Sequence, residues 1–302
     1  MDFFRRIFSR RYAYSKIDTS GYMVPISEEQ RNQIQAVLLE MYVDILHVCE
    51  KYNLVPFLAG GCALGAVRHG GFIPWDDDLD IAMLREHYDI LLNVIETEYP
   101  DKYIVNAPEK SEKPKERFAK IMKKGTLFKE LVTVPDEDLN GIFVDVFPLE
   151  NIPDNDIVKT VKGIRCNMAE FIGSQVFLRE NATPESKSLL KATGGASYAV
   201  RTAVGIIFGV KKSKWWYQHI NKLGQYRNNA TKRCASVYGR KHYFGEILNR
   251  TQIMPPRYVD FCGIQAPVFN DLEGYLTLMY GDYMKIPPVE KREVHMIREL
   301  QF

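Results

Sequence analysis

No two of the five cysteines, Cys49, Cys62, Cys166, Cys234 and Cys262, stand in a CxxC spacing. Their scatter argues against a disulfide framework and against a zinc site built from thiolates. Long apolar runs are missing too. The most apolar stretch, AVGIIFGV at 203–210, is far too short to span a bilayer. The first residues lack the apolar core of a signal peptide, so a cytoplasmic protein is expected. Charge of one sign is not in excess: a formal net charge of +2 gives no global basic field, and no nucleic-acid partner is expected. Neither a repeat nor a low-complexity segment is visible. What is present, 302 residues of which 46% are hydrophobic and 26% charged, has the balance of a globular enzyme. That length leaves ample core for one large domain or two modest ones.

Hydrophobic spacing predicts a helix from about Ser27, opened by a Ser27/Gln30 capping box and carrying Ile34, Leu38, Met41, Ile45 and Val48 on one face. Val55–Ala59 reads as a short buried strand stopped by Gly60 and Gly61, and residues 62–68 as one or two helical turns. Leu79–Met83 reads as a strand and Arg85–Tyr99 as a helix. Further strands are expected at Phe118–Met122, Leu127–Val132, Gly141–Phe147 and Tyr258–Ile264. Helices are expected through about 156–230 and again from Asp271 to Tyr280. Strands first, with helices packed around a modest mixed sheet, indicate an α+β or α/β protein.

The stretch GGFIPWDDDLDIAM (70–83) sets four aspartates beside residues that look like a core strand. Carboxylates this close repel, and a buried one must be paired or must hold a cation. On a strand, Asp78 and Asp80 share a face while Leu79 and Ile81 point into the core. Asp76 has the same parity; Asp77 has the opposite one and is expected to be solvated or used locally. Two same-face carboxylates can share a hard, oxygen-preferring cation such as Mg²⁺. A solvated acidic turn that caps the next helix is the plainer alternative. Three features favour the cation. Gly60-Gly61 upstream lets the backbone approach a phosphate. Asp145 sits in the apolar strand GIFVDVFPL. Arg68, Lys120, Lys123 and Lys124 lie between them. Together these make a metal-dependent phosphoryl or nucleotidyl transfer site.

The segment GGCALGAVRHGGFIPWDDDLDIAM (60–83) resembles the signature of the LicD-type phosphotransferases, which include the fukutin-related proteins. IFVDVFPLENIP and the C-terminal YGDYMKIPPVEKREVH resemble that family's later motifs. The similarity runs from about residue 30 to 150 and returns over about 258–295. The helical middle and the first 25 residues carry no matching motif. The resemblance implies an α+β, nucleotidyltransferase-like mixed sheet flanked by helices, with a helical insertion in mid-chain. In those terms 1–26 is a basic-aromatic segment, 27–150 the catalytic core, 151–240 a helical region and 241–302 a return to the core. It further implies transfer of a phospho-alcohol from a CDP-activated donor such as CDP-choline to a hydroxyl of a cell-surface glycan or lipid-linked glycan. Phosphocholine is the best-known group and ribitol phosphate another; Mg²⁺ (or Mn²⁺) is the implied ion. By position, Asp78 and Asp80 are implied metal ligands, with Asp76 facing the same ion. Asp145 is implied as a third acid, ligand or base, and Gly60 and Gly61 as the lining of the donor phosphates. Two other functions stand beside this one. The first is a nucleotidyltransferase releasing pyrophosphate. The second is a non-catalytic glycan-binding protein, whose acid set would be expected to be broken; here it is intact.

Other residues have two readings each. Arg68-His69 could grip a pyrophosphate or form a surface pair at a helix end. Lys120 could contact phosphate or snorkel to the surface. His295, after the PP-x-E-K-R segment, could fold over the site or be structural. Tyr280, Asp282 and Tyr283 could touch substrate or end a helix capped by Gly281. Trp75, Phe72 and Tyr283 could cage a quaternary ammonium or belong to the core. The basic-aromatic segments 3–12 and 211–217 could be solvated helix faces or rest on an anionic membrane surface.

Overall fold

In the computed structural model, residues 26–130, 133–134, 136–226, 231–289, 292 and 297–302 are described. Helix α1 (Glu28–Tyr52) begins with the expected capping box: the Gln30 N–H donates to Ser27 Oγ at 3.1 Å, and the Ser27 N–H to Gln30 Oε1 at 3.0 Å. It ends where Asn53 turns left-handed at φ 55°. Its apolar face, Ile34, Leu38, Met41, Ile45 and Val48, is buried.

Then follow β1 (Phe57–Leu58), α2 (Gly60–His69), β2 (Leu79–Leu84), α3 (Arg85–Glu98), β3 (Tyr103–Asn106), β4 (Ala119–Lys123), β5 (Leu127–Glu130) and β6 (Phe143–Ile152). Three helices come next, α4 (Asp156–Asn181), α5 (Pro184–Phe208) and α6 (Ser213–Gly224). The chain closes with β7 (Arg233–Ala235), α7 (His242–Gly245), β8 (Ile247–Asn249), α8 (Arg250–Ile253), β9 (Arg257–Phe261), β10 (Ile264–Val268), α9 (Leu272–Tyr280) and β11 (Ile297–Gln301).

The main sheet has the order β1-β2-β6-β4-β3, with β7 added to the far end of β6 and β8 to β7. Only the β2–β6 pair in it is parallel; the mixed sheet and its flanking helices make an α+β fold. The long central strand β6 runs three residues beyond the pairing with β4 and then pairs β7 through Glu150–Ile152. Pro148 lies in the gap between those two ladders, where a strand tolerates proline. One apolar core gathers α1, α2, α3, β9, β10 and α9 around the sheet. A second, with Ile152 and Ala235 from β6 and β7, binds α4 and α6 through Cys166, Phe177, Tyr217 and Ile220. No helix among the described residues is long and apolar enough to cross a membrane.

Several expectations need correction. The buried strand expected at Val55–Ala59 is shorter, Phe57–Leu58, and the glycines that follow it open α2. The expected strand at 258–264 is a hairpin, β9–β10, turned at Cys262 and Gly263 with φ 54° and 83°. Strand β3, a four-residue edge strand, carries too short a pattern to be read from its residues. Residues 131 and 132, at the end of the strand expected from Leu127, lie outside the described residues, as do the segment 3–12 and His295.

Candidate active site

Three aspartates, Asp76, Asp77 and Asp78, form the loop that joins α2 to β2. The strand begins only at Leu79, so period-two alternation does not reach back to them. A turn closes the loop, with the Asp76 N–H donating to the Ile73 carbonyl at 2.9 Å. Gln35, on α1, steadies it by donating from Nε2 to the carbonyls of Ile73 (3.3 Å) and Asp76 (2.8 Å). On the other side, buried Cys62 accepts the Asp80 N–H at 3.3 Å and donates to the Asp78 carbonyl at 3.8 Å. Burial, then the charges of Asp80, Asp78 and Asp76, push the Cys62 thiol well up, so it keeps the proton it donates.

Each of Asp76, Asp77 and Asp78 offers one carboxylate oxygen, and these lie within 4.8 Å of one another. Of the two expectations for Asp77, solvated or used locally, the first fails: Asp77 is buried, while Asp76 and Asp78 are half-buried and line the cavity. Among the described residues this is the one group of three potential ligands so close together. The glycine pair supplies clearance. A Cβ on Gly60 would stand 2.6 Å from Asp80 Oδ2, and one on Gly61 2.5 Å from Asp76 Oδ2. Gly60 also holds φ at +50° and donates its N–H to the Tyr275 hydroxyl at 3.0 Å. A set of oxygen-only donors in a space kept free of side chains suits a hard divalent cation.

Asp80 lies one strand position beyond. Parallel pairing of β2 with β6 sets it beside Asp145, and antiparallel pairing of β6 with β4 sets Asp145 beside Lys120. The three occupy one row on one face of the sheet. The Lys120 ammonium is 2.9 Å from Asp145 Oδ1, and both side chains are buried. Burial pushes the Asp145 carboxyl up to about 6 against the pull of Lys120. Neither Lys120 nor Asp145 lines the cavity in front of the sheet.

That cavity, about 370 Å³, has Gly60, Gly61, Asp76, Asp78 and Asp80 on one wall. Facing them are residues from the C-terminal third of the chain: Arg240, Glu246, Tyr275, Tyr280, Asp282, Tyr283, Lys285 and Arg292. Arg68 lines it as well; its Nη1 donates to the Tyr283 carbonyl and its Nε to His69 Nε2, both at 3.0 Å. Trp75 lies at the rim with Arg292 over its ring at 4.0 Å and Arg68 at 5.8 Å. Phe72 packs on Phe261 in the core, so of the two readings of Trp75, Phe72 and Tyr283 the core one holds for Phe72 and no cage of the three is assembled. Arg240 and Glu246 were missed by sequence reasoning, and Lys285 and Arg292 were included only as members of YGDYMKIPPVEKREVH, with no role given to them. Each reaches the cavity through the packing of the C-terminal segments.

Residues 53–177 match the family model described as LicD/FKTN/FKRP, nucleotidyltransferase domain, an interval that holds Asp76, Asp77, Asp78, Asp80 and Asp145 but not Glu246 or Asp282. The lipopolysaccharide cholinephosphotransferase LicD of Haemophilus influenzae is 26% identical over 267 residues, 85% of this chain and 92% of the relative. An uncharacterised protein of Rickettsia prowazekii is 43% identical over 49 residues, 16% of this chain and 18% of the relative. One from Rickettsia typhi is 43% identical over 49 residues, 16% of both.

Proposed function

We propose that this chain, whose residues 53–177 match the LicD family model, is a LicD-type transferase that moves a phospho-alcohol from a CDP-activated donor to a hydroxyl of a cell-surface glycan precursor, releasing CMP. Phosphocholine is the group we favour, on the name of the Haemophilus relative. The observation that carries the reading is the meeting, in one cavity, of an aspartate loop with Arg68, Arg240, Lys285 and Arg292. Carboxylates alone would repel a pyrophosphate; guanidinium and ammonium groups opposite them supply the complementary charge.

Asp76, Asp78 and Asp80 would hold Mg²⁺ or Mn²⁺, with Asp77 and Asp145 beside them. An ion held there would supply Lewis-acid stabilisation of negative charge on the phosphoryl oxygens. The basic side chains orient the two phosphates so that the alcohol-bearing phosphorus faces the acceptor. Arg292 on Trp75 and Arg68 on the Tyr283 carbonyl are held for that task. Lys120 neutralises Asp145 behind the aspartate wall, which keeps a fifth negative charge from acting on the donor. The exposed Lys211, Lys212 and Trp215 support a place on the inner membrane face as a peripheral protein.

The test is product analysis. A panel of CDP-alcohols with Mg²⁺ or Mn²⁺ is expected to give CMP, most rapidly from CDP-choline. Pyrophosphate release from a nucleoside triphosphate, with no CMP from any CDP-alcohol, would replace this reading by nucleotidyl transfer.

A further inference from the structure

We infer that Glu246 is the base that takes the proton of the acceptor hydroxyl. The inference rests on the transfer proposed above. When the acceptor oxygen bonds to the alcohol-bearing phosphorus and the bond from that phosphorus to CMP breaks, one proton leaves the hydroxyl. A carboxylate that can receive it must face the cavity and must not be committed to a cation.

The acids of the cavity sort themselves on these terms. Asp76, Asp78 and Asp80 form the aspartate wall. Asp145 is held against Lys120 and does not face the cavity. Asp282 is exposed in the turn after α9. Glu246 alone among the described cavity acids is buried and stands apart from the aspartate loop, between α7 and β8. Its position is built. The Lys241 N–H donates to Glu246 Oε1 at 2.8 Å, and a Cβ on Gly239 would lie 2.5 Å from each carboxylate oxygen. From α9, Tyr275 feels its charge, and the same hydroxyl accepts the N–H of Gly60 on the aspartate wall.

The charged and titratable groups facing Glu246 are Arg240, Lys241 and His242 from its own segment and Tyr275 from α9. Burial pushes its carboxyl up to about 7, against the Lys241 N–H and the charges of His242, Lys241 and Arg240. A base near neutrality combines availability with driving force for proton transfer. A carboxylate that merely tied down the loop at 239–241 would have no reason to border the cavity, and its titration would leave turnover unchanged.

The experiment uses the full chain, CDP-choline, Mg²⁺ and methyl hexopyranosides as acceptors, and follows CMP between pH 5.5 and 9. For the wild type, kcat/KM is expected to fall about tenfold per pH unit below roughly pH 7. Glu246→Gln is expected to lose about 10²–10⁴-fold in kcat and to lose that acidic limb, with the Kd for CDP-choline within about twofold. Glu246→Asp should recover part of the rate and restore a limb. A Gln variant within threefold of the wild type and with the same profile overturns the assignment. Should the Gln variant not fold, a wild-type profile flat between pH 6 and 8 does the same. A wild type that releases no CMP from any donor overturns the transfer reaction itself, which separates the two failures.

Discussion

Asp80, Asp145 and Lys120 show how one row of side chains can serve both the fold and the site. A buried carboxylate beside a buried ammonium is held by mutual attraction that roughly offsets the loss of water around both. Removing one partner is costly because the other stays behind uncompensated, by about 3–5 kcal/mol. Lys120→Met is therefore expected to destabilise the protein by about that much in urea melts, while Lys120→Met with Asp145→Asn recovers more than half of the loss. A double variant no more stable than the single would mean that the pair is not coupled. Asp78 in the loop and Asp80 at the start of β2 are only half-buried and behave differently. Asp78→Asn and Asp80→Asn should each lower CMP release at least about 10²-fold without lowering the melting temperature. Near-normal turnover at limiting Mg²⁺ would remove that residue from the ligand set. Sequence reasoning named Asp76, Asp78 and Asp80 from strand parity, which applies to Asp80 alone because β2 begins at Leu79, and named Asp145 from its cost in an apolar strand. Of the two readings of Asp77, solvated or used locally, its burial removes the first.

At the level of elements, the start of α2 governs the shape of the site. A glycine inside or opening a helix costs up to about 1 kcal/mol relative to alanine, so two in a row ask for a reason. The reason is space: Asp80 and Asp76 occupy the volumes that two Cβ atoms would fill. Gly61 does not require a left-handed backbone, so Gly61→Ala tests space alone. It is expected to raise the Mg²⁺ concentration for half-maximal CMP release by about tenfold, on the order of 1.4 kcal/mol, with the melting temperature unchanged or higher. An unchanged Mg²⁺ requirement would show that Asp76 moves aside at no cost. The capping box of α1 and the periods of α1 and α3 were legible because each is fixed within a few residues. The split of 258–264 into a hairpin was not, because a turn at Cys262-Gly263 uses a positive φ that Cys rarely marks.

Across the whole molecule, the end of α5 and the start of α6 leave an apolar, basic tip. Ile207 is 65% and Val210 88% exposed, Trp215 is exposed, and Lys211 lies over its ring at 5.7 Å. Lys214 is drawn to Glu112 at 2.7 Å, so Lys211 and Lys212 face outward beside the tryptophan. At about 1 kcal/mol per basic residue near an anionic leaflet, this tip would give weak, salt-sensitive adsorption. Co-sedimentation with phosphatidylglycerol vesicles is expected at low salt and should be lost on Lys211→Glu with Lys212→Glu, with CMP release from a water-borne acceptor unchanged. No binding at low salt would refute it. What the sequence by itself determined is what short spacing can express: α1 and its cap, the aspartate motif, the acid in β6 and the family they point to. Only the tertiary structure decided the strand register that joins Asp80, Asp145 and Lys120, and the closure of the cavity by Arg240, Glu246, Tyr275, Lys285 and Arg292. Local periodicity sets which face a residue occupies. Which faces meet depends on pairing between strands 25 and 65 residues apart and on packing between segments more than 150 residues apart, and no short stretch of chain encodes that.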